Sequence, residues 1–301
     1  MSRQAQGHLA MLLFSAFVAG SFALGSRVAN DLAPAALNAV RFWLAAGLIG
    51  VAACATTGLS RRAFHAPWRY VVLGGLFGIY FVLMFEGLKT APPVSAAAVF
   101  TLTPVLAALF GWMLLRQVTT TRMALALAIG ATGALWVIFR ADFAALRAFE
   151  IGRGEIIYFF GCVSHALYTP MVRKLNRGEP AVVFTFGTLV AGAVLLTVAG
   201  WSELQATDWQ SLPALVWITL LYLTVFATGA SFVLLQTASL RLPAAKVMAY
   251  TYLTPSWVIV WELALGGEVP PVFILVGVVL TMIALLLLLR NEEPERAAVE
   301  S

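Results

Sequence analysis

Three residue types that apolar segments rarely tolerate stand inside long hydrophobic runs of this chain. Arg41 lies in LNAVRFWLAA, His165 lies in CVSHALYTPM, and Pro104, Pro170 and Pro255 interrupt runs that are otherwise continuous. A buried guanidinium pairs with carbonyls or a carboxylate, and a buried imidazole relays protons or hydrogen-bonds a solute. A mid-run proline lacks an N–H and clashes with the carbonyl four residues back. Pro104 therefore frees the carbonyl of Phe100, and Pro255 frees that of Thr251. This is the chemistry of binding and bending. Bond-making machinery is missing: the chain has no H-E-x-x-H, no paired buried aspartates, and Ser164 and His165 are helix neighbours that point apart. No metal site is expected, since His8 and His65 fall at or beyond the ends of their runs, and no cofactor is expected.

The groups able to line a solute site follow helical spacing. Tyr80 and Met84 share a face, as do Phe232 and Gln236; Tyr250 and Trp257 are one heptad apart; His165 and Tyr168 lie with Tyr158 along one side of their run. Phe100 and Thr101 adjoin the first proline break. Tyr80, Met84, Phe100, Thr101, His165, Tyr168, Phe232, Gln236, Tyr250 and Trp257 form the expected substrate-binding set, with Pro104, Pro170 and Pro255 as hinges. Such walls suit an apolar or aromatic solute oriented by a few polar atoms. The plainer alternative for each aromatic is packing or lipid contact. For Arg41 the favoured reading is a structural tie between helices, the alternative a contact to a solute carboxylate.

The elements that must position these groups are set by composition. The chain is 61% hydrophobic and 11% charged, with mean hydropathy +0.91. Soluble domains carry about twice that share of charge, so the solvent for most of this surface is lipid. The apolar runs are continuous and close to twenty residues, which makes them helices. Ten spans are expected near 7–26, 34–56, 68–88, 93–115, 122–140, 154–173, 180–200, 212–236, 243–265 and 270–290. The first is read as a retained span, because its apolar stretch is too long for a signal peptide. With the N-terminus cytoplasmic, thirteen basic residues fall on the inner side and five on the outer, Arg41 being within a span. Both termini are then cytoplasmic. The net charge of +5 is explained by this bias, and nucleic acid is not an expected partner. Gly74 and Gly78 form a G-x-x-x-G that lets its helix pack closely on a neighbour. Glu86 and Glu262 fall toward span ends and are too shallow to carry a coupling proton.

The chain also repeats itself. FTLTPVLAALFGW and TYLTPSWVIVWEL both carry Leu-Thr-Pro, and Pro104 and Pro255 are 151 residues apart (255 − 104). Pro92 pairs with Pro243 at the same offset, and Gly130 stands in the fifth span as Gly277 does in the tenth. A unit of five spans is odd in number, so its second copy enters the membrane from the opposite side. The expected organisation is residues 1–140 as the first five-helix repeat, a periplasmic linker at 141–153, the second inverted repeat at 154–290, and a disordered cytoplasmic tail at 291–301. Phe143, Leu146 and Phe149 give the linker one apolar face, as in a short interfacial helix.

PAALNAVRFWLAA, TLTPVLAALFGWMLL and YLTPSWVIVWELALGGE resemble the drug/metabolite transporter superfamily, EamA type, over nearly the whole chain. Arg41 takes the place of that family's second-span arginine. The family motif ends in Gly-Glu; this chain keeps Gly267-Glu268 in its second half and has Arg116-Gln117 in its first. Within the superfamily the chain is most similar to YddG-type aromatic amino-acid exporters. The resemblance implies an all-α membrane protein of ten transmembrane helices in two inverted repeats. It implies an inner-membrane secondary transporter that exports small organic solutes, most of all hydrophobic or aromatic amino acids and also methionine or threonine. Alternating access around a midplane cavity is the implied mechanism. A monomeric facilitator in a bacterial cell inner membrane is expected, with small-molecule substrate and lipid bilayer as partners. A proton-coupled drug or metabolite exporter is the alternative; a membrane-embedded enzyme is the other class.

Overall fold

The computed structural model describes residues 3–139, 142, 151–268 and 270–289. Residues 141 and 143–150 of the expected linker at 141–153, and the tail at 291–301, lie outside the described residues. Those residues form helices and turns with no strand among them. The helices are α1 Arg3–Val28, α2 Pro34–Thr56, α3 Trp68–Leu88, α4 Pro93–Phe100, α5 Thr103–Leu115, α6 Thr121–Ile138, α7 Arg153–Leu175, α8 Ala181–Ala199, α9 Trp201–Ala206, α10 Ala214–Thr224, α11 Ser231–Ser239, α12 Ala244–Ala249, α13 Thr254–Ala264 and α14 Val272–Leu289. A π-turn, Val225–Ala230, joins α10 to α11, and a 3₁₀ turn, Tyr250–Leu253, joins α12 to α13.

Among the described residues, eight helical segments are long and apolar enough to cross a membrane. Two further expected spans differ for visible reasons. Helix α7 carries Arg153, Glu155, Arg173 and Lys174 at its ends. The run from 244 to 264 is cut into α12, the 3₁₀ turn and α13. The surface is apolar: Val51, Val272 and Phe273 are more than 70% exposed, which water would penalise and lipid does not.

Local chemistry explains the breaks. Proline has no N–H to lose in a first helical turn, and Pro104 and Pro255 both open new helices there. The carbonyl of Phe100, freed by Pro104 as expected, accepts from the Thr103 hydroxyl at 2.7 Å. On the second side the carbonyl of Thr251 takes the backbone N–H of Thr254, which tightens that turn into 3₁₀ form. Pro170 behaves differently. It stays inside the unbroken helix α7, so it makes no comparable break. Helices α5 and α13 both end near a left-handed residue, Arg116 (φ 53°) and Gly266 (φ 79°). Glycine takes that conformation without a Cβ penalty, and arginine does not.

Helices from the two sequence halves meet in pairs and run antiparallel. On α6 and α14, Gly133 abuts Gly277, and Trp136 Nε1 donates to the Phe273 carbonyl at 2.8 Å. On α2 and α8, Gly50 faces the Phe186 ring, and Trp43 Nε1 donates to Thr197 Oγ1 at 2.9 Å. On the broken spans, Thr103 meets Thr251 at 3.2 Å, and Gln117 Oε1 accepts from the Ala244 N–H at 3.0 Å. In each pair the residue numbers rise on one helix as they fall on the other. Glycines set the closest approaches. A Cβ on Gly74 would sit 2.5 Å from the Gly192 backbone nitrogen, so the G-x-x-x-G of α3 packs on α8 as its pattern predicts. Gly130, matched by sequence to Gly277, instead faces the Tyr252 ring; the contact to Gly277 is made one turn later by Gly133.

Candidate functional site: an aromatic cluster between the helices

Helix α3 presents Phe77, Tyr80, Phe81 and Met84 at spacings of three, four and seven, and all four are buried. This face meets α7, α4 and α11. The His165 ring lies 4.5 Å from Tyr80, 5.2 Å from Phe100 and 5.2 Å from Phe77, centroid to centroid. Phe77 is the hub. Its ring is 4.0 Å from Tyr168 and 4.1 Å from Phe232, both edge to face. The Tyr80 and Tyr158 hydroxyls are 3.1 Å apart. Gln236 Nε2 donates to the Tyr168 hydroxyl at 3.0 Å.

The structure thus brings together Tyr80, Phe100, His165, Tyr168, Phe232 and Gln236 from the expected set, with Met84 buried one turn beyond Tyr80. Three members do not join them. Tyr250 faces α1, where its hydroxyl meets His8 Nδ1 at 3.1 Å. Thr101 is buried, but its hydroxyl donates to its own helix at the Ala98 carbonyl, 2.6 Å. Trp257 is 36% exposed on the outward face of α13. Seven-residue spacing placed Trp257 with Tyr250, but the 3₁₀ turn between them breaks the helical register. Phe77 and Phe81 were missed, although their spacing from Tyr80 and Met84 marks the same face.

The midplane chamber expected from sequence is not open here. Tyr80, Phe100, His165, Tyr168, Phe232 and Gln236 are each at most 1% exposed, and their rings pack on one another. Close-packed rings leave no room for a solute between them. A groove of about 780 Å³ does exist, between α2 and α8 on the outer surface, lined by Trp43, Gly47, Gly50, Val51, Phe186 and Val190. None of the expected solute-binding residues lines it.

Arg41 is fully buried beside the cluster. Its Nε donates to the Thr228 hydroxyl, Nη1 to Asn38 Oδ1 at 3.3 Å, and Nη2 to the Ala227 carbonyl at 3.0 Å. The guanidinium lies 3.8 Å from the Phe81 ring centroid. Thr228 and Ala227 belong to the π-turn, where the widened backbone leaves the Ala227 carbonyl for Arg41 and for the Ser231 hydroxyl at 2.8 Å. Arg41 therefore ties α2 to the π-turn. The π-turn itself had no sequence signal.

Acidic groups are engaged at the helix ends. Glu262 accepts from Arg27 at 2.8 and 3.2 Å, and Glu86 from Lys89 at 2.6 Å. At the opposite end of the bundle, Glu179 accepts from Arg69 at 2.7 Å, and Arg69 also donates to the carbonyls of Leu175, Ala63 and His65. Partial burial pushes the Glu179 carboxyl up, but hydrogen bonds from Arg69 and from the Arg177 backbone bring it below its ordinary value. Glu155, at the start of α7, is a buried acid that the sequence reading passed over. It is 4% exposed and accepts from Ser95 Oγ at 2.8 Å.

The EamA-like transporter family model matches the chain twice, over residues 5–139 and 152–290. An uncharacterized transporter of Bacillus subtilis, YyaM, is 27% identical over 282 residues, 93% of this chain and 92% of that protein. A second from the same organism, YvbV, is 25% identical over 77% of this chain and 75% of its own length. The aromatic amino acid exporter YddG of Ancylobacter novellus is 36% identical over 106 residues, 35% of this chain and 34% of that one. One solved crystal structure shares the fold with a TM-score of 0.71, covering 95% of this chain and 96% of its own at 22% identity.

Proposed function

The chain belongs to the EamA-like transporter family, and from that premise we propose that it exports hydrophobic or aromatic amino acids, methionine and threonine included, across a bacterial inner membrane. The observation that carries this reading is the ring cluster itself. Phe77, Tyr80 and Phe100 come from the first matched segment, and His165, Tyr168, Phe232 and Gln236 from the second. A site shared between two halves opens when they move apart, and rings with a few polar atoms suit an apolar solute.

On this reading the two matched segments are inverted five-helix repeats, bounded by 1–140 and 154–290, with the 141–153 linker outside and both termini cytoplasmic. The antiparallel pairing of α2 with α8, of α6 with α14 and of the broken span α4–α5 with the broken span α12–α13 supports inversion, since parallel repeats would align equivalent helices. Packed rings and ion pairs at both ends correspond to an occluded state of an alternating-access cycle. Pro104 and Pro255 are the hinges, and Pro170 softens α7 without breaking it. The protein works as a monomeric facilitator and not as an enzyme, with the shallow acids Glu86 and Glu262 tied up in ion pairs.

The alternative, proton-coupled export, draws on the buried Glu155 carboxylate. Purified protein in liposomes is expected to carry labelled phenylalanine, methionine or threonine down a gradient, with no uphill flux when a pH gradient is imposed. Absence of flux for every amino acid refutes the substrate reading. Uphill flux that disappears in Glu155→Gln replaces the facilitator with the proton-coupled form.

A further inference from the structure

Two buried polar atoms in the ring cluster have no hydrogen-bond partner: His165 Nδ1 and Gln236 Oε1. Gln236 gives its Nε2 proton to the Tyr168 hydroxyl at 3.0 Å, so the amide oxygen is the end left free. With the His165 proton on Nε2, Nδ1 is likewise an acceptor. The two residues belong to one cluster: Phe77 packs on His165 and on Tyr168, and Tyr168 is the hydrogen-bond partner of Gln236.

Among the described residues, Arg41 is the cation beside this cluster; three of its five N–H groups already donate, and its plane covers Phe81. Arg27, Arg69 and Lys89 are held in ion pairs near helix ends. A solute carboxylate drawn among the rings would lose its water, and the guanidinium beside it is already committed to Thr228, Asn38 and the Ala227 carbonyl. An amine would meet free acceptors and several aromatic faces, the surroundings that favour an ammonium group.

We propose that the cluster recognises the amine end of its solute, with His165 Nδ1 and Gln236 Oε1 as acceptors, so that apolar and aromatic primary amines and amino-acid amides are ligands as well as amino acids. This rests on the export reading of the same site, and it names the group that is read. The solute's carboxylate stays toward the water-filled side as the halves part.

The test compares 2-phenylethylamine, phenylalaninamide and 3-phenylpropionate as competitors of labelled phenylalanine in proteoliposomes. The amine and the amide are expected to compete at least about tenfold more strongly than the acid, the worth of one or two good hydrogen bonds. Gln236→Leu should weaken the amine about tenfold, and Gln236→Glu should restore or tighten it. Equal or stronger competition by 3-phenylpropionate overturns the proposal. If no amino acid is carried, the export reading fails by itself. Thermal stabilisation of the detergent-purified, unsubstituted protein then decides this inference: a shift with 2-phenylethylamine and none with 3-phenylpropionate upholds it, and the reverse, or no shift with either, overturns it.

Discussion

The hydroxyls of Thr103 and Thr251 lie 3.2 Å apart and join the two proline-broken helices at their breaks. Thr103 also covers the carbonyl that Pro104 frees, at 2.7 Å. One side chain thus repairs its own helix and touches the other half. Removing it exposes a buried acceptor, whereas removing Thr251 loses only the bridge.

Thr103→Val should therefore cost more than Thr251→Val, about 1–2 kcal/mol against under about 1. Thermal unfolding in detergent measures both. The double substitution should reveal a coupling of about 0.6 kcal/mol, typical of polar contacts between membrane helices. Equal single costs with no coupling contradict the repair role of Thr103.

Arg41 separates a structural tie from a solute contact. Arg41→Lys cannot reach Thr228, Asn38 and the Ala227 carbonyl together, because an ammonium lacks the guanidinium's fork. The expected result is a lower melting temperature, equivalent to about 1–3 kcal/mol, with an unchanged half-saturation concentration for phenylalanine. A tenfold rise in that concentration without loss of stability would assign Arg41 to the solute carboxylate.

Two glycines make a matched pair of tests. A Cβ on Gly133 would sit 2.6 Å from the Gly277 carbonyl oxygen, while one on Gly47 meets nothing within 4 Å. Gly133→Ala should push α6 from α14 and cost about 1–3 kcal/mol. Gly47→Ala should be neutral or slightly stabilising, since alanine is the better helix former. Similar melting temperatures for the two variants would mean that the α6–α14 contact is not tight.

Glu179 gives the fold an acid-sensitive clasp. Its folded value is lowered from the ordinary 4.5, so the unfolded chain takes up its proton first as pH falls. The stabilisation is full above the ordinary carboxylate range and fades as pH drops through the lowered native value. Glu179→Gln should be less stable at pH 7 and lose less stability on acidification than the parent. Parallel melting curves from pH 7 to pH 3 would remove Glu179 from the account.

Composition and periodicity alone determined that this chain is helical and lipid-solvated, and spacing placed the Leu-Thr-Pro breaks and the face that carries Tyr80 and Met84. Those properties are local, written in runs of neighbouring residues. Only the tertiary structure decided which of those faces meet. It drew Phe77 into the hub, sent Trp257 outward through a 3₁₀ turn, closed the rings on one another, and gave Arg41 a π-turn carbonyl to hold. The physical reason is that burial and hydrogen-bond partnership depend on groups far apart in the chain. His165 and Gln236, seventy-one residues apart (236 − 165), enter one cluster only because Phe77 and Tyr168 connect them.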